Sequence, residues 1–180
     1  MAVVRRLSSD ELRPEEVAVL RGLFGAAWGS GSEAFTDEDW EHAFGGLHFI
    51  LEESGSIVAH ASVVERELHA SDHRLPTGYV EAVATWPKHQ RRGHGSALMR
   101  EVDQYIDQTF QLGALDTSRP AFYERLGWVV WRGPTFVRTA SGLIRTQEED
   151  GDVLVRLTPT SPELDLYAPI SCDWRSGDVW

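Results

Sequence analysis

The sequence predicts an α+β sheet protein, and three observations lead to it. Three β-rich runs follow one another between Leu47 and Thr85, each bounded by turn residues. Helical patterns lie both before and after them, so strands and helices neither alternate strictly nor separate into halves. The chain has 180 residues, 42% of them hydrophobic, and carries no repeat, low-complexity tract or Pro/Gly/Ser-rich linker. That is material for one core, and residues 1–180 are expected to form a single domain.

In chain order, Ala2 to Leu7 reads as a short strand. Pro14 then opens a helical pattern with Leu20, Leu23, Phe24 and Ala27 on one face, ended by Gly29 and Gly31. Thr36 followed three residues later by Asp39 is an N-cap signal for a second helix running through Phe44 and closed by Gly45-Gly46. LHFILEE and IVAHASVVERELHA, separated by Ser54-Gly55, form a hairpin, and GYVEAVAT follows a turn at Asp72 to Pro76. Leu98, Val102, Tyr105 and Ile106 make Ser96 to Thr109 an amphipathic helix. FQLGAL is a strand, Pro120 to Leu126 a short helix stopped by Gly127, and WVVW and VLVRL, the latter from Val153, are further strands.

The formal net charge is -11, and it is unevenly spread. From Glu33 to Glu53 there are seven acids and no lysine or arginine; from Thr146 onward there are eight acids against Arg156 and Arg175. Such a field opposes nucleic acid and anionic membrane and concentrates cations, although a solvated, solubilising surface has the same composition. No apolar run is long enough to span a bilayer and the first residues lack a signal-peptide core, so a cytosolic location is expected. Cys172 is the single cysteine, and the seven histidines show no zinc-ligand spacing, so no metal site is expected.

Against this acidic background, Gln90-Arg91-Arg92-Gly93-His94-Gly95-Ser96 is a basic, glycine-spaced turn that opens into a helix. Unpaired N–H groups and the positive end of the helix dipole suit a pyrophosphate there, and Lys88, His89, Arg91 and Arg92 add charge. The spacing is neither GxxxxGK[ST] nor GxGxxG, which disfavours a nucleoside triphosphate or a dinucleotide. An ordinary strand-to-helix turn with exposed arginines would look the same in isolation.

The run Q-x-x-G-x-G after a strand and before an amphipathic helix resembles the pyrophosphate-binding motif of the GNAT superfamily of N-acetyltransferases, and the order of elements matches that fold. A narrower resemblance, to the aminoglycoside 2'-N-acetyltransferases, rests on Phe35-Thr36, Asp39-Trp40-Glu41-His42, Gly78-Tyr79-Val80-Glu81, Gln111 to Leu115, Gly127-Trp128 and CDWRSGDVW from Cys172 to Trp180. It implies a mixed central sheet with a splayed pair of strands, flanked by helices. It also implies acetyl-coenzyme A as acetyl donor, a polycationic aminoglycoside as acceptor, and a homodimer. The cofactor-binding residues it implies are Val83 and Thr85 on the strand before the turn, then Gln90, Arg91, Arg92, Gly93, His94, Gly95 and Ser96. Within this family Asp116 stands where serine is common.

Acetyl transfer to an amine needs a base for the amine proton and an acid for the departing thiolate. The resemblance carries the base onto Glu81, whose alternative is an outward-facing strand residue, and the acid onto Tyr123, which serves equally as a core aromatic beside Phe122 and Leu126. The expected substrate-binding residues are Asp39, Glu81, Asp116, Ser118, Glu149, Asp150, Asp178 and the carboxylate of Trp180, since carboxylates form the stronger hydrogen bonds to ammonium groups. Trp180 also suits a hydrophobic plug. A GNAT enzyme acting on another amine, such as a polyamine, peptide or cell-wall precursor, and a non-catalytic coenzyme-A sensor are the alternatives.

Overall fold

A computed structural model describes residues 2–31 and 34–180; Glu33, one of the acids of the first acidic segment, lies outside the described residues. The elements run β1 (Ala2–Ser8), α1 (Pro14–Trp28), α2 (Asp37–Ala43), β2 (Leu47–Glu53), β3 (Ser56–Ala70), β4 (His73–Thr85), α3 (His94–Thr109), β5 (Leu112–Asp116), α4 (Pro120–Glu124), β6 (Val129–Val130), β7 (Thr135–Thr139), β8 (Gly142–Arg145), β9 (Val153–Leu157) and β10 (Ile170–Asp173). They fall into two compact units, 1–64 with 80–102 and 65–79 with 103–180. No helix among the described residues is long and apolar enough to cross a membrane.

In the first unit β1 pairs antiparallel with β2, and β2 with β3 from Leu47↔Val63 to Glu53↔Ser56. The β2–β3 turn places Ser54 and Gly55 at φ 53° and 77°, the left-handed pair that a tight hairpin requires. Helix α2 begins in a full capping box: Asp39 N–H donates to Thr36 Oγ1 (3.1 Å), and the Asp39 carboxylate accepts from Thr36 N–H (2.7 Å) and Oγ1–H (2.9 Å). The apolar face read in α1 is buried here. Leu20, Leu23 and Phe24 pack with Trp40, Ile50 and Ala84, and the partly buried Ala27 joins them. Gly46 is required where α2 meets the sheet, because a Cβ there would lie 2.3 Å from the Val63 carbonyl oxygen.

In the second unit the ladders are mixed. β5 runs parallel to β4 and antiparallel to β9, which also pairs with β6; β10 is antiparallel to β3 and parallel to β7, and β7 and β8 form a hairpin. The β4–β5 register covers only Thr77–Tyr79 opposite Leu112–Ala114, although β4 continues to Thr85, so the pair parts after Tyr79 as the splayed strands required. Gly78 allows α3 to sit close, since a Cβ would meet Phe110 at 2.7 Å and Ile106 at 3.0 Å. Trp128 Nε1–H donates to the buried Asp103 (2.9 Å), and Arg156 bridges from β9 to Asp107 (2.8 and 2.6 Å).

The fold departs from the sequence expectation in its boundaries and its C-terminal half. Helix α3 starts at His94 rather than Ser96, and α4 stops at Glu124 rather than Leu126. The turn expected over Asp72 to Pro76 is tighter, reversing at Ser71 (φ 52°), and Pro76 lies inside β4. Strands β7, β8 and β10 carry little apolar alternation. β8 is exposed throughout and is held by its hairpin partner, so no periodic signal marked it.

Candidate active site

Glu81 sits half-buried on β4. The next residue, Ala82, has φ 50°, an irregularity that re-aims the strand directly after the glutamate. Val83 and Thr85 are half-buried and alternate with the buried Ala84, leaving them on the opposite face of β4 from the core contact that Ala84 makes. Gln90 Nε2–H donates to the Thr85 carbonyl oxygen (3.2 Å), tying the end of the strand to the turn.

The turn combines left-handed backbone with an uncapped helix start. Gly93 has φ 82° and Arg91 φ 60°, and the Gly93 carbonyl accepts the first intrahelical bond from Ala97 N–H (2.9 Å). The first turn of α3 carries no acid, so its unpaired N–H groups and dipole are not neutralised from within. Arg91, Arg92 and Gly93 are exposed, whereas Gly95 and Ser96 are partly covered. A Cβ on Gly93 would have open space, so glycine is demanded by the backbone angle and not by crowding. These features fit the pyrophosphate of a coenzyme A.

Behind Glu81's strand runs a chain of hydrogen bonds that the sequence did not announce. His60 Nδ1–H donates to the Ala82 carbonyl oxygen (2.9 Å), which leaves His60 Nε2 to accept from His48 Nδ1–H (2.8 Å). Ser9 Oγ–H then donates to His48 Nε2 (2.8 Å) and accepts from Gly45 N–H (2.7 Å). Burial holds His48 at about 4 and His60 at about 3, so both rings are neutral near pH 7 and every ring nitrogen is satisfied. Ser62 Oγ–H donates to the carbonyl of Glu81 itself (3.3 Å). The alternation His60, Ser62 along β3 was the available signal, but nothing in it pointed to Ala82.

In the second unit the acids cluster. Glu149 is half-buried, and its carboxyl is pushed up to about 7, first by burial and then by the charges of Asp116, Asp178, Glu148 and Asp152. Asp116, Glu149 and Asp178 are therefore brought into one electrostatic neighbourhood, and Glu148 and Asp152 join it. These last two were missed, although the run EEDGD was a visible sign. Ser118 is exposed two residues beyond Asp116. Tyr123 is 8% exposed, edge-on to Phe122 and Trp128, and burial raises its phenol above the ordinary tyrosine value.

Three expected substrate contacts are otherwise engaged. Asp150 is paired with Arg145 through both carboxylate oxygens and accepts from Thr135 N–H and Oγ1–H (3.0 Å each), which holds it well below the usual range at about 2. It forms an ion pair that ties Arg145 to the start of β7. Asp39 spends one carboxylate oxygen on the cap of α2. Trp180 is 2% exposed, its indole N–H donating to Thr146 Oγ1 (3.0 Å) and its main-chain oxygen accepting from Arg175 (2.7 Å), so the plug is the role the structure displays.

Residues 9–131 match a family model described as an acetyltransferase (GNAT) domain. An aminoglycoside 2'-N-acetyltransferase of Mycolicibacterium fortuitum is 45% identical over 151 residues, covering 81% of this chain and 77% of that protein. Among solved structures, the GNAT family N-acetyltransferase YhbS of Escherichia coli, in complex with CoA, superposes with a TM-score of 0.66 at 12% identity, covering 95% and 89% of the two chains. A conserved protein of unknown function from Enterococcus faecalis V583, described as a probable N-acyltransferase, superposes with a TM-score of 0.61 at 18% identity. It covers 74% of this chain, which spans only 33% of that longer protein. At such identities the two structures speak for the fold alone.

Proposed function

Because the chain belongs to the GNAT acetyltransferases, and within them to the family of the aminoglycoside 2'-N-acetyltransferase, we propose that it transfers acetyl from acetyl-coenzyme A to the 2'-amine of an aminoglycoside. The observation that carries the acceptor is the gathering of Asp116, Asp178, Glu148 and Asp152 around the half-buried Glu149. Like charges gathered in this way raise one another's pKa and are relieved by a polycation.

Acetyl-coenzyme A supplies the acetyl group as an activated thioester. The turn from Gln90 to Ser96 holds its phosphates through backbone N–H groups, with Arg91 and Arg92 acting as charge, and Val83 and Thr85 serve the pantetheine arm. Glu81 accepts the proton of the attacking amine as the N–C bond forms. Tyr123, kept protonated by its burial, delivers a proton to the sulfur as the C–S bond breaks. Asp116, Glu149 and Asp178 bind the remaining ammonium groups, and Ser118 and Asp39 are further candidate substrate contacts. We further propose that residues 1–180 act as one acetyltransferase domain in a cytoplasmic homodimer that does not bind nucleic acid. The exposed Leu143 and Ile144 of the edge strand β8 favour such a self-association.

The deciding experiment is free-thiol release from acetyl-coenzyme A against aminoglycosides that differ only at the 2' position. Turnover confined to drugs with a free 2'-amine is expected. Equal turnover of 2'-hydroxyl drugs overturns the regiochemistry, turnover only with polyamines or peptides favours another GNAT acceptor, and cofactor binding without thiol release favours a sensor.

A further inference from the structure

Glu53 ends β2, His89 closes the short 3-10 turn Pro87–His89 after β4, and His94 is the first residue of α3. The three side chains converge on one point. Glu53 Oε2 lies 3.7 Å from His89 Nδ1 and 3.7 Å from His94 Nε2, and the three atoms all lie within 4.8 Å of one another. At 3.7 Å neither contact is a hydrogen bond. Both nitrogens are buried and have no hydrogen-bond partner among the described residues, and the His94 side chain is only 9% exposed.

Buried imidazole nitrogens are normally paired, so two of them facing one carboxylate need a common guest. The donor set is two imidazole nitrogens and one carboxylate oxygen. Around a tetrahedral zinc ion, with ligand atoms about 2.0–2.2 Å from the metal, neighbouring ligands stand roughly 3.3–3.6 Å apart, so the two 3.7 Å carboxylate–imidazole separations need only a small contraction, and the two imidazole nitrogens, which lie within 4.8 Å, close around the ion as it binds. Imidazole favours zinc and its transition-metal neighbours over magnesium or calcium, which prefer all-oxygen shells. We propose that Glu53, His89 and His94 form a binding site for a divalent transition-metal cation of the zinc class, with a fourth position left to water or another ligand.

The placement gives the site a consequence. His89 immediately precedes the basic glycine turn and His94 lies within it, so the cation ties the chain on both sides of Gln90 to Gly93 to the tip of the β2–β3 hairpin. It is a staple on that segment, joining Glu53 to His89 and His94, which lie 36 and 41 positions further along the chain. Glu53 also comes from the acidic segment that holds no lysine or arginine, so a cation finds no competing local positive charge on that strand.

The test uses the untagged full chain, dialysed against a chelator and then titrated with zinc chloride by calorimetry, with cobalt(II) as a spectroscopic probe. One equivalent of zinc is expected to bind with a dissociation constant of about 10 µM or tighter, and cobalt is expected to show the intense visible bands of a four-coordinate site. Thermal unfolding should move up with zinc, since a ligand bound only by the native state stabilises it. Glu53→Gln and His89→Ala should each weaken zinc by at least tenfold and abolish the thermal gain; they keep the test decisive if His94→Ala fails to fold. Absence of stoichiometric binding at 100 µM zinc would mean that the three groups hold only a bridging water, and the proposal falls. Zinc binding unchanged in both variants places the ion on other histidines and overturns it equally.

Discussion

At the scale of single residues, the roles proposed for Glu149 and Glu81 are separable. The Glu149 carboxyl, lifted from 4.5 to about 7, is protonated in the folded chain between those values while the unfolded chain is ionised. The native state then binds more protons, so stability falls as pH rises from about 4.5 through 7, and the penalty persists above 7. Glu149→Gln is therefore expected to raise the unfolding temperature at pH 8. After solvent screening the gain should be on the order of 1 kcal/mol, roughly 2–4 °C. The same substitution should weaken aminoglycoside binding and reduce, by up to about one, the protons released on binding near pH 6.5. Calorimetry in buffers of different ionisation enthalpy measures this, and an unchanged proton count would take Glu149 out of the acceptor site. Glu81→Gln should leave acetyl-coenzyme A affinity alone and lower kcat by about 10²- to 10⁴-fold, most at low pH where the amine most needs a base. A pH–rate profile from 6 to 9 checks it.

At the scale of elements, the cap of α2 and the turn before α3 make opposite predictions. Thr36→Ala removes the two bonds that the Thr36 hydroxyl makes with Asp39, leaving the main-chain N–H bond to the carboxylate, and should lower stability by about 1 kcal/mol with acetyl-coenzyme A affinity unaffected, read by thermal unfolding and cofactor titration. Gly93→Val faces no steric neighbour but must hold φ 82°, which costs an L-residue about 1–2 kcal/mol. The turn relaxes to escape that angle, so acetyl-coenzyme A should bind roughly tenfold more weakly while aminoglycoside binding is spared. Equal cofactor affinity in wild type and variant would show that the turn only connects strand to helix. Both elements were legible in the sequence because each signal, Thr36 with Asp39 and Gly93 within QRRGHG, lies within a few residues of the geometry it creates. Strands β7, β8 and β10 were not, because short strands with half-exposed faces owe their existence to partners far along the chain.

At the scale of the whole molecule, the acid side of the stability curve should be steep. His48 and His60 titrate near 6.5 when unfolded but are held at about 4 and about 3 by burial, so between pH 6.5 and 4 the unfolded chain binds more protons than the native one. Their contribution to stability is fully present above 6.5 and is lost as pH falls, at roughly 1.4 kcal/mol per pH unit for each histidine. Denaturant unfolding from pH 7.5 to 4.5 should show this slope, and His48→Gln should flatten it. The uneven charge also acts globally. Aminoglycoside KM should rise with salt, because Debye screening weakens the field of an acidic protein on a polycation.

What the sequence determined by itself is what local pattern and composition carry: the α+β class, the β2–β3 hairpin, the apolar face of α1, the basic glycine turn into α3 and the acidic excess. Each depends on period, turn chemistry or net charge within a short window. Tertiary structure alone decided which charged groups are available. It paired Asp150 with Arg145, buried the Trp180 indole against Thr146, gathered Asp116, Glu149 and Asp178, and joined Glu53 to His89 and His94. The reason is physical: a carboxylate's role depends on what lies within about 4 Å of it and how much water remains. Those neighbours come from distant positions whose side-chain directions neither spacing nor composition records.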